Sequence, residues 1–407
     1  MPTTNFKNSS GTDIGNTLVE KSYLIDRYPE LADTFKQAGA WAWGYNSLNN
    51  LGDGTTTHRS SPILVLGGGT NWAILSSGRY HTAGIKSDNT LWVWGYDDVG
   101  QLGVNTTGVT RSTPVQTVAA GTNWKQVSCG DKFSAAIKTD GTLWTWGRNN
   151  FGQLGDGTTT NNPSPVQIAG TTWKQVSAGS ESTGVIKTDG TLWTFGVNEF
   201  PKYMLGDGTT TNRSSPVQIA GTTWKQVSMG VRQGGAIKTD GTLWMWGDRG
   251  DGGVGDGVVS GFTGISSPVQ TTAGGTNWKK ISVGGFCTLA IKTDGTLWGW
   301  GWNPVGKLGD GTTTAKSTPI QIAGTTWKTV VNGLAYNGAT AAIKTDGTLW
   351  TWGSNSNYGA LGDNTTTDRS SPVQIYGAGA NWKLVACGHY FVTAIRDDSA
   401  DIFGNTL

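Results

Sequence analysis

The chain is short of the groups that build covalent scaffolds, metal centres and charged surfaces. It has 3 cysteines, 3 histidines and 4 methionines in 407 residues, and only 14% of its side chains are charged. Three cysteines cannot form a disulfide framework. Cys129 and Cys387 stand just before Gly130 and Gly388 at one recurring position, Cys287 stands elsewhere, and all three are expected as small buried fillers. A formal charge of +2 supplies no field to draw nucleic acid or an anionic membrane. No apolar run reaches membrane-spanning length, and MPTTNFKNSSGTD at the N-terminus has neither a basic region nor an apolar one. A cleaved secretory signal is therefore not expected; export by another route, or release with a particle, stays open. Long amphipathic helical patterns are missing as well.

What the chain has instead is glycine, 63 residues of it, threonine, and one phrase said many times. TDGTLWTWG at 139–147 returns almost letter for letter at 188–196, 239–247, 293–301 and 345–353, with degenerate copies at 87–95, 40–44 and 400–404. The closing glycines, from Gly44 to Gly404, lie 51, 52, 49, 51, 54, 52 and 51 residues apart. A period near 50 residues points to a repeat architecture in which each unit leans on its neighbours. One period reads as SPVQI, a strand; IAGTTW, a turn; WKQVSAG and STGVIK, two more strands; a tight Asp-Gly turn; and LWTFG, a fourth strand. Such a four-stranded sheet cannot bury both faces alone, so the units must stack, and a ring of them is a propeller. The strand-opening tryptophans Trp72, Trp124, Trp173, Trp224, Trp278, Trp327 and Trp382 predict seven blades. Of the 21 tryptophans, 20 fall on recurring positions, as packing between blades requires; Trp302 alone does not.

The fold expected is all-β, a seven-bladed propeller over 40–407 behind a short leader at 1–39. The leader holds the one stretch with a helical pattern, 13–37, with Leu18, Leu24, Ile25, Leu31 and Phe35 as candidate anchoring residues. It reads equally as a cap on the array or an anchor to another protein. AWAWG at 40–44 and the strands near the C-terminus look complementary, so one blade is expected to be stitched from both ends. The tail DIFGNTL competes with AWAWG for the same slot, and the sequence leaves that choice open.

The text LWTWGRNNFGQLGDGTTT, followed by SPVQI and WKQVSAG, resembles the regulator of chromosome condensation repeat family over residues 40–404. The resemblance implies a seven-bladed β-propeller. It is specific to fold, since such rings serve as exchange factors for small GTPases, ubiquitin-ligase parts, light-receptor scaffolds and binding rings. This chain departs from the eponymous member, which activates a nuclear GTPase and binds nucleosomes: it has no basic tail and no large wedge between strands. Its Thr/Asn/Gly-rich, near-identical repeats behind a leader of the LVEKSYLID type also resemble repeat proteins of tailed bacteriophages.

No catalytic constellation stands out. His58, His81 and His389 have no metal-ligand spacing with one another or with cysteine or carboxylate, and His81 reads as a packed, hydrogen-bonded residue. Asp53, Asp156, Asp207, Asp256 and Asp310 each supply one carboxylate per LGDGTTT-type loop, which suits a self-bonded turn better than calcium. No cofactor and no metal are expected, and no enzyme activity.

The repeats differ among themselves on one side only. In an antiparallel blade the loops after the innermost and third strands emerge on one face, where GRYHT, GDKFS, GSEST and GVRQG, or RNNFG, VNEFPKYM and WNPVG, never agree. The other face repeats KTDGT and IAGTTW. A structural need repeated seven times gives the same residues seven times, so the divergent face is expected to bind. Its candidate residues are Tyr80, Tyr96, Phe133, Arg148, Phe151, Phe200, Tyr203, Arg232, Arg249, Phe286, Trp302, Tyr336, Tyr358 and Tyr390, with Trp302 and the 200–203 insertion foremost. The function these features suggest is a non-enzymatic structural and binding protein on a phage particle. The leader would hold another virion protein and the variable face a host-surface glycan or protein, without nucleic acid and without membrane insertion. The alternatives are a cytoplasmic adaptor or GTPase regulator, and a sugar-binding lectin ring.

Overall fold

The computed structural model of the protein describes residues 39–397, except 68, 120, 200–201, 260–262, 356–357 and 378. The leader with Leu18, Leu24, Ile25, Leu31 and Phe35, and the tail DIFGNTL, lie outside the described residues, as does Phe200. Within them the chain folds into seven sheets of four antiparallel strands. Six blades run in chain order from the inside out; the third, for example, is Trp173–Ala178, Ser182–Lys187, Leu192–Gly196 and Arg213–Ile219.

The blade boundary differs from the sequence reading. SPVQI does not open a blade; Asn162–Ile168 pairs with Leu143–Gly147 and forms the outer edge of the blade before. IAGTTW is accordingly the crossover from one blade's rim to the next blade's innermost strand. Text alone cannot separate these, because a crossover and a hairpin turn use the same Gly and Thr residues.

Closure is by both ends. Gly39–Gly44 lies between Arg59–Leu64 and Phe391–Arg396, with Trp41 opposite Ala394, and the sheet ends with Trp382–Cys387. AWAWG therefore takes the third-strand slot of the closing blade. Ala40 and Ala42 join a buried cluster with Trp72, Leu75 and Trp94 of the first blade, while Trp43 joins another with Leu349 and Leu361 of the sixth.

The recurring phrase TDGTLWTWG is explained bond by bond. Asp140 Oδ1 accepts from the Thr142 hydroxyl at 2.7 Å, and the Thr142 hydroxyl in turn accepts from Trp144 Nε1 at 2.9 Å. Lys138, just before the turn, lies over two indoles at once, 4.7 Å from Trp124 and 4.5 Å from Trp144, a pair of cation–π contacts. Trp146 points the other way, fully buried, and donates to Gln101 O of the preceding blade at 2.9 Å. The same inter-blade indole bond recurs from Trp43, Trp94, Trp246, Trp300 and Trp352. Gly147 ends the phrase at φ +102°, where a Cβ would lie 2.6 Å from Lys132 O. Only glycine permits that approach.

The constant face is constant for a visible reason. Five tight turns lend a glycine carbonyl to the opening tryptophan of the next blade, and the first blade lends Asn89 O to Trp124 in the same way: Trp173 N–H donates to Gly141 O at 3.0 Å and Trp224 N–H to Gly190 O at 2.9 Å. Trp278, Trp327 and Trp382 repeat the bond at Gly241, Gly295 and Gly347. A second tie runs nearer the axis, where the serine of WKQVS accepts from the next blade's backbone. Cys129, Ala178, Met229, Val283 and Asn332 N–H groups donate to Ser76, Ser128, Ser177, Ser228 and Ser282 hydroxyls at 2.8–2.9 Å.

Candidate functional site

The opposite face is built from loops of uniform scaffold and unlike cargo. In five blades the scaffold is an asparagine just after the LWxWG-type strand, and in blades one and four Asp97 and Asp248 stand there and accept from the loop backbone instead. Asn149 Oδ1 accepts from Leu154 N–H, while Asn149 Nδ2 donates to Asp156 Oδ1. Asn46, Asn198, Asn303 and Asn355 repeat the arrangement with Asp53, Asp207, Asp310 and Asp363. Each of those aspartates is further used by its own threonine and by Arg59, Arg213, Lys316 or Arg369. Their oxygens are committed to the loop itself. Among the described residues no group of three His, Cys, Asp or Glu is placed to hold a metal ion.

On this scaffold the predicted binding residues sort into three groups. The first spans the closing blade and its neighbours. Tyr358 and Tyr390 lie 5.4 Å apart, Tyr80 and Tyr96 6.3 Å apart, and Tyr45, His58 and His389 bridge them. Tyr45 is 5.0 Å from Tyr358, 6.2 Å from Tyr80 and stacked on His58 at 5.1 Å; His389 is 4.0 Å from Tyr390 and 5.5 Å from Tyr80. Burial pushes the His389 imidazole down to about 3, with Arg79 and Lys307 acting in the same direction. It is neutral at physiological pH. Burial also raises the Tyr390 phenol.

The second group lies on blades four to six. Phe286 packs edge-on against Tyr336 at 4.5 Å, Trp302 lies 4.1 Å from Tyr336, and the Arg232 guanidinium sits 4.8 Å over Phe286. Lys307, wholly buried, holds the loop that carries Tyr336 by donating from Nζ to Gly333 O and Ala335 O, at 3.1 and 2.9 Å. The third group is charged. Arg148 and Lys202 flank Glu181 at 3.4 and 2.9 Å, and both cations lie over Phe151. Tyr203, half-buried, holds a left-handed backbone at φ +49° nearby, and Arg249 is paired with Asp256 at 2.6 Å.

Two expectations need correction. Phe133 is not a surface anchor: it is the first residue of the strand Phe133–Lys138, has no exposed area, and packs on Leu154 and Ala178. Trp302 is only 8% exposed, because Tyr336 covers it; Tyr336, 46% exposed, is the accessible member of that pair. Tyr45, His58 and His389 belong to the site although sequence reasoning does not find them. No spacing marks them as a group, since ring closure alone brings residue 45 beside residue 390.

At the centre the residue after each inner-strand glycine faces the axis. Arg79, Asp131, Ser180, Val231, Leu334 and His389, each unlike the others, line a cavity of about 200 Å³ with Phe286 and Tyr336. Their backbones are stitched around the ring, Asp131 N–H to Ser180 O and Ser180 N–H to Gly230 O among them. Arg79 and Asp131 form an ion pair at 3.2 Å. For Asp131 desolvation outweighs the pairing and raises the carboxyl; burial opposes charge on Arg79 too, but the Asp131 carboxylate leaves it raised.

The repeat text and this geometry have known counterparts. The RCC1-like domain family matches residues 35–335, and the regulator of chromosome condensation (RCC1) repeat matches residues 346–395. The chain belongs to the RCC1-like propeller family. Among curated relatives, the Ultraviolet-B receptor UVR8 of Arabidopsis thaliana is 30% identical over 339 residues, covering 81% of this chain and 76% of the receptor. The E3 ubiquitin-protein ligase HERC2 of Homo sapiens is 26% identical over 321 residues, 78% of this chain but 6% of the ligase. Among solved structures, human WBSCR16 matches with a TM-score of 0.77 at 20% identity, over 88% of this chain and 99% of that one. Prp20p from Saccharomyces cerevisiae matches with a TM-score of 0.77 at 20% identity, over 89% and 93%. At such identity the two structures speak for the fold alone. RCC1-like propellers are typically binding proteins or regulators of GTPases.

Proposed function

We propose that this RCC1-like ring is a non-enzymatic binding protein, carried on a phage particle by its leader and docking a host-surface glycan or protein with its variable face. The observation that carries the binding reading is the asymmetry of the two faces. The constant face is accounted for by bonds within its turns and between blades, whereas the variable face gathers seven tyrosine and histidine rings into one patch, of which the loop scaffold uses only His58, whose Nδ1 accepts from Asn46 N–H. Aromatic clusters of this kind are typical interaction anchors. The particle assignment rests on the Thr/Asn/Gly-rich repeat text and the separate leader. Mass spectrometry of purified particles, with and without deletion of residues 1–39, tests it. Leader-dependent presence is expected; absence from particles removes the virion part and leaves a free binding ring.

Family membership favours a second reading, a cytoplasmic adaptor or GTPase regulator. The Prp20p structure is described with binding to Gsp1p and histones. A clear rate increase in nucleotide-exchange assays against small GTPases would establish it over the first.

A further inference from the structure

We propose that the axial cavity of the variable face binds one neutral sugar ring, the terminal unit of a glycan. The proposal rests on the binding-ring reading and narrows it to a subsite and a ligand class. The cavity has a polar arc of Arg79, Asp131 and His389 and an apolar arc of Val231, Leu334, Phe286 and Tyr336. Three atoms on the polar arc, Arg79 Nε, Asp131 Oδ1 and His389 Nδ1, are buried with no hydrogen-bond partner. Asp131 as a whole is 8% exposed. Buried polar atoms are nearly always satisfied, so three orphans around one cavity mark a place where a ligand completes the set.

The orphans define what that ligand offers. Arg79 Nε–H only donates, the Asp131 oxygen accepts, and a neutral imidazole nitrogen does either according to its tautomer. Adjacent groups that each donate and accept, as ring hydroxyls do, answer all three. Burial keeps His389 uncharged, its pKa pushed down to about 3. Arg79 and Asp131 cancel in a 3.2 Å pair, so no net charge calls for an ionic ligand, and an anionic sugar would set its carboxylate against Asp131. Across the cavity Tyr336 and Phe286 meet edge to face at 4.5 Å and present an apolar wall to the C–H face of a sugar. At about 200 Å³ the space is below the roughly 300–1,000 Å³ of pockets for drug-sized ligands and suits a single ring.

The test titrates the full-length protein with glucose, galactose, mannose and N-acetylglucosamine by ligand-observed NMR, with N-acetylneuraminic acid as the anionic control. At least one neutral sugar is expected to bind with a Kd of about 1 mM, as a small ligand of few contacts does. Asp131→Asn, which keeps the shape, and His389→Phe, which keeps the ring against Tyr390 and Tyr80, should each weaken it about tenfold. Thermal melts confirm folding, and either variant alone suffices if the other is unfolded. The idea fails if no neutral sugar binds, if the anionic sugar binds as well as the neutral ones, or if neither variant changes the affinity. It fails too if sugar-soaked crystals show only ordered water on the three atoms. Attachment of the intact protein to host cells that persists without sugar binding sinks the subsite and leaves the binding ring standing. Sugar binding without attachment to cells or particles removes the particle reading and retains the subsite.

Discussion

The repeats leave most side chains no choice, so the residues that break the pattern carry the testable chemistry. His81 shares its position with Phe133, Ser182, Gln233 and Phe391 in other blades, each the first residue of a second strand and opposite the LWxWG glycine. It has no exposed area, its Nε2 lies 2.9 Å from the Ser134 hydroxyl, and burial pushes its pKa down to about 3. The unfolded chain takes up a proton as pH falls through about 6.5, while the folded one does not until about 3. Stability from this group is thus present above pH 6.5 and lost as pH falls through that window, by about 1.4 kcal/mol per pH unit. His81→Gln, which places here the side chain that Gln233 supplies at the same position of another blade, should remove that slope. Urea unfolding at pH 7.0 and 5.0 is expected to show wild type losing about 2 kcal/mol more than the variant over the interval; equal losses would refute the assignment.

At the level of the strand, the blades are tied by the serine rungs nearest the axis. Ser228 accepts from Val283 N–H at 2.9 Å across the boundary between blades four and five. Ser228→Ala leaves that N–H without its partner and should cost about 1 kcal/mol, read as a lowered urea midpoint with an unchanged slope. The rung is interrupted at Val331 of blade six and at Ala386 of the closing blade, so the closing blade's innermost strand lacks the serine tie on both sides. There Cys387 Sγ lies 3.6 Å from Val331 O, and Ser77 and Thr393 hydroxyls meet at 2.9 Å. These details show where sequence reading stops. Period, strand content and blade number follow from TDGTLWTWG and the opening tryptophans, because local repetition and strand alternation are written in the text. The blade boundary at SPVQI is not legible, because crossover and turn share a composition. Phe133 reads as a loop residue because a single position decides whether GDKFS ends before or inside a strand. The tyrosine patch and the axial cavity are only partly legible, since Tyr45 and Tyr390, or Arg79 and His389, meet through closure and not through spacing.

Closure is also what the whole molecule depends on. Each blade buries its flat sides only against its neighbours, so opening the ring exposes two blade faces at once and frees a sheet edge. Deleting 382–407 removes the two inner strands of the closing blade. The strand Gly39–Gly44 then loses its entire pairing with Phe391–Arg396, and Trp43 loses Trp382, which packs against it at 6.3 Å. Blade six loses the cover of Trp382, Val385 and Cys387, and blade one that of Phe391 and Ile395. An unpaired, tryptophan-rich strand beside two bared apolar faces is a template for edge-to-edge association. The truncated chain is therefore expected to aggregate, or to elute as large oligomers with a lower, broader melt, in size-exclusion chromatography and calorimetry. A soluble monomer melting at the wild-type temperature would mean that six blades stand without the seventh, and that the stitching of the two ends contributes nothing to the ring.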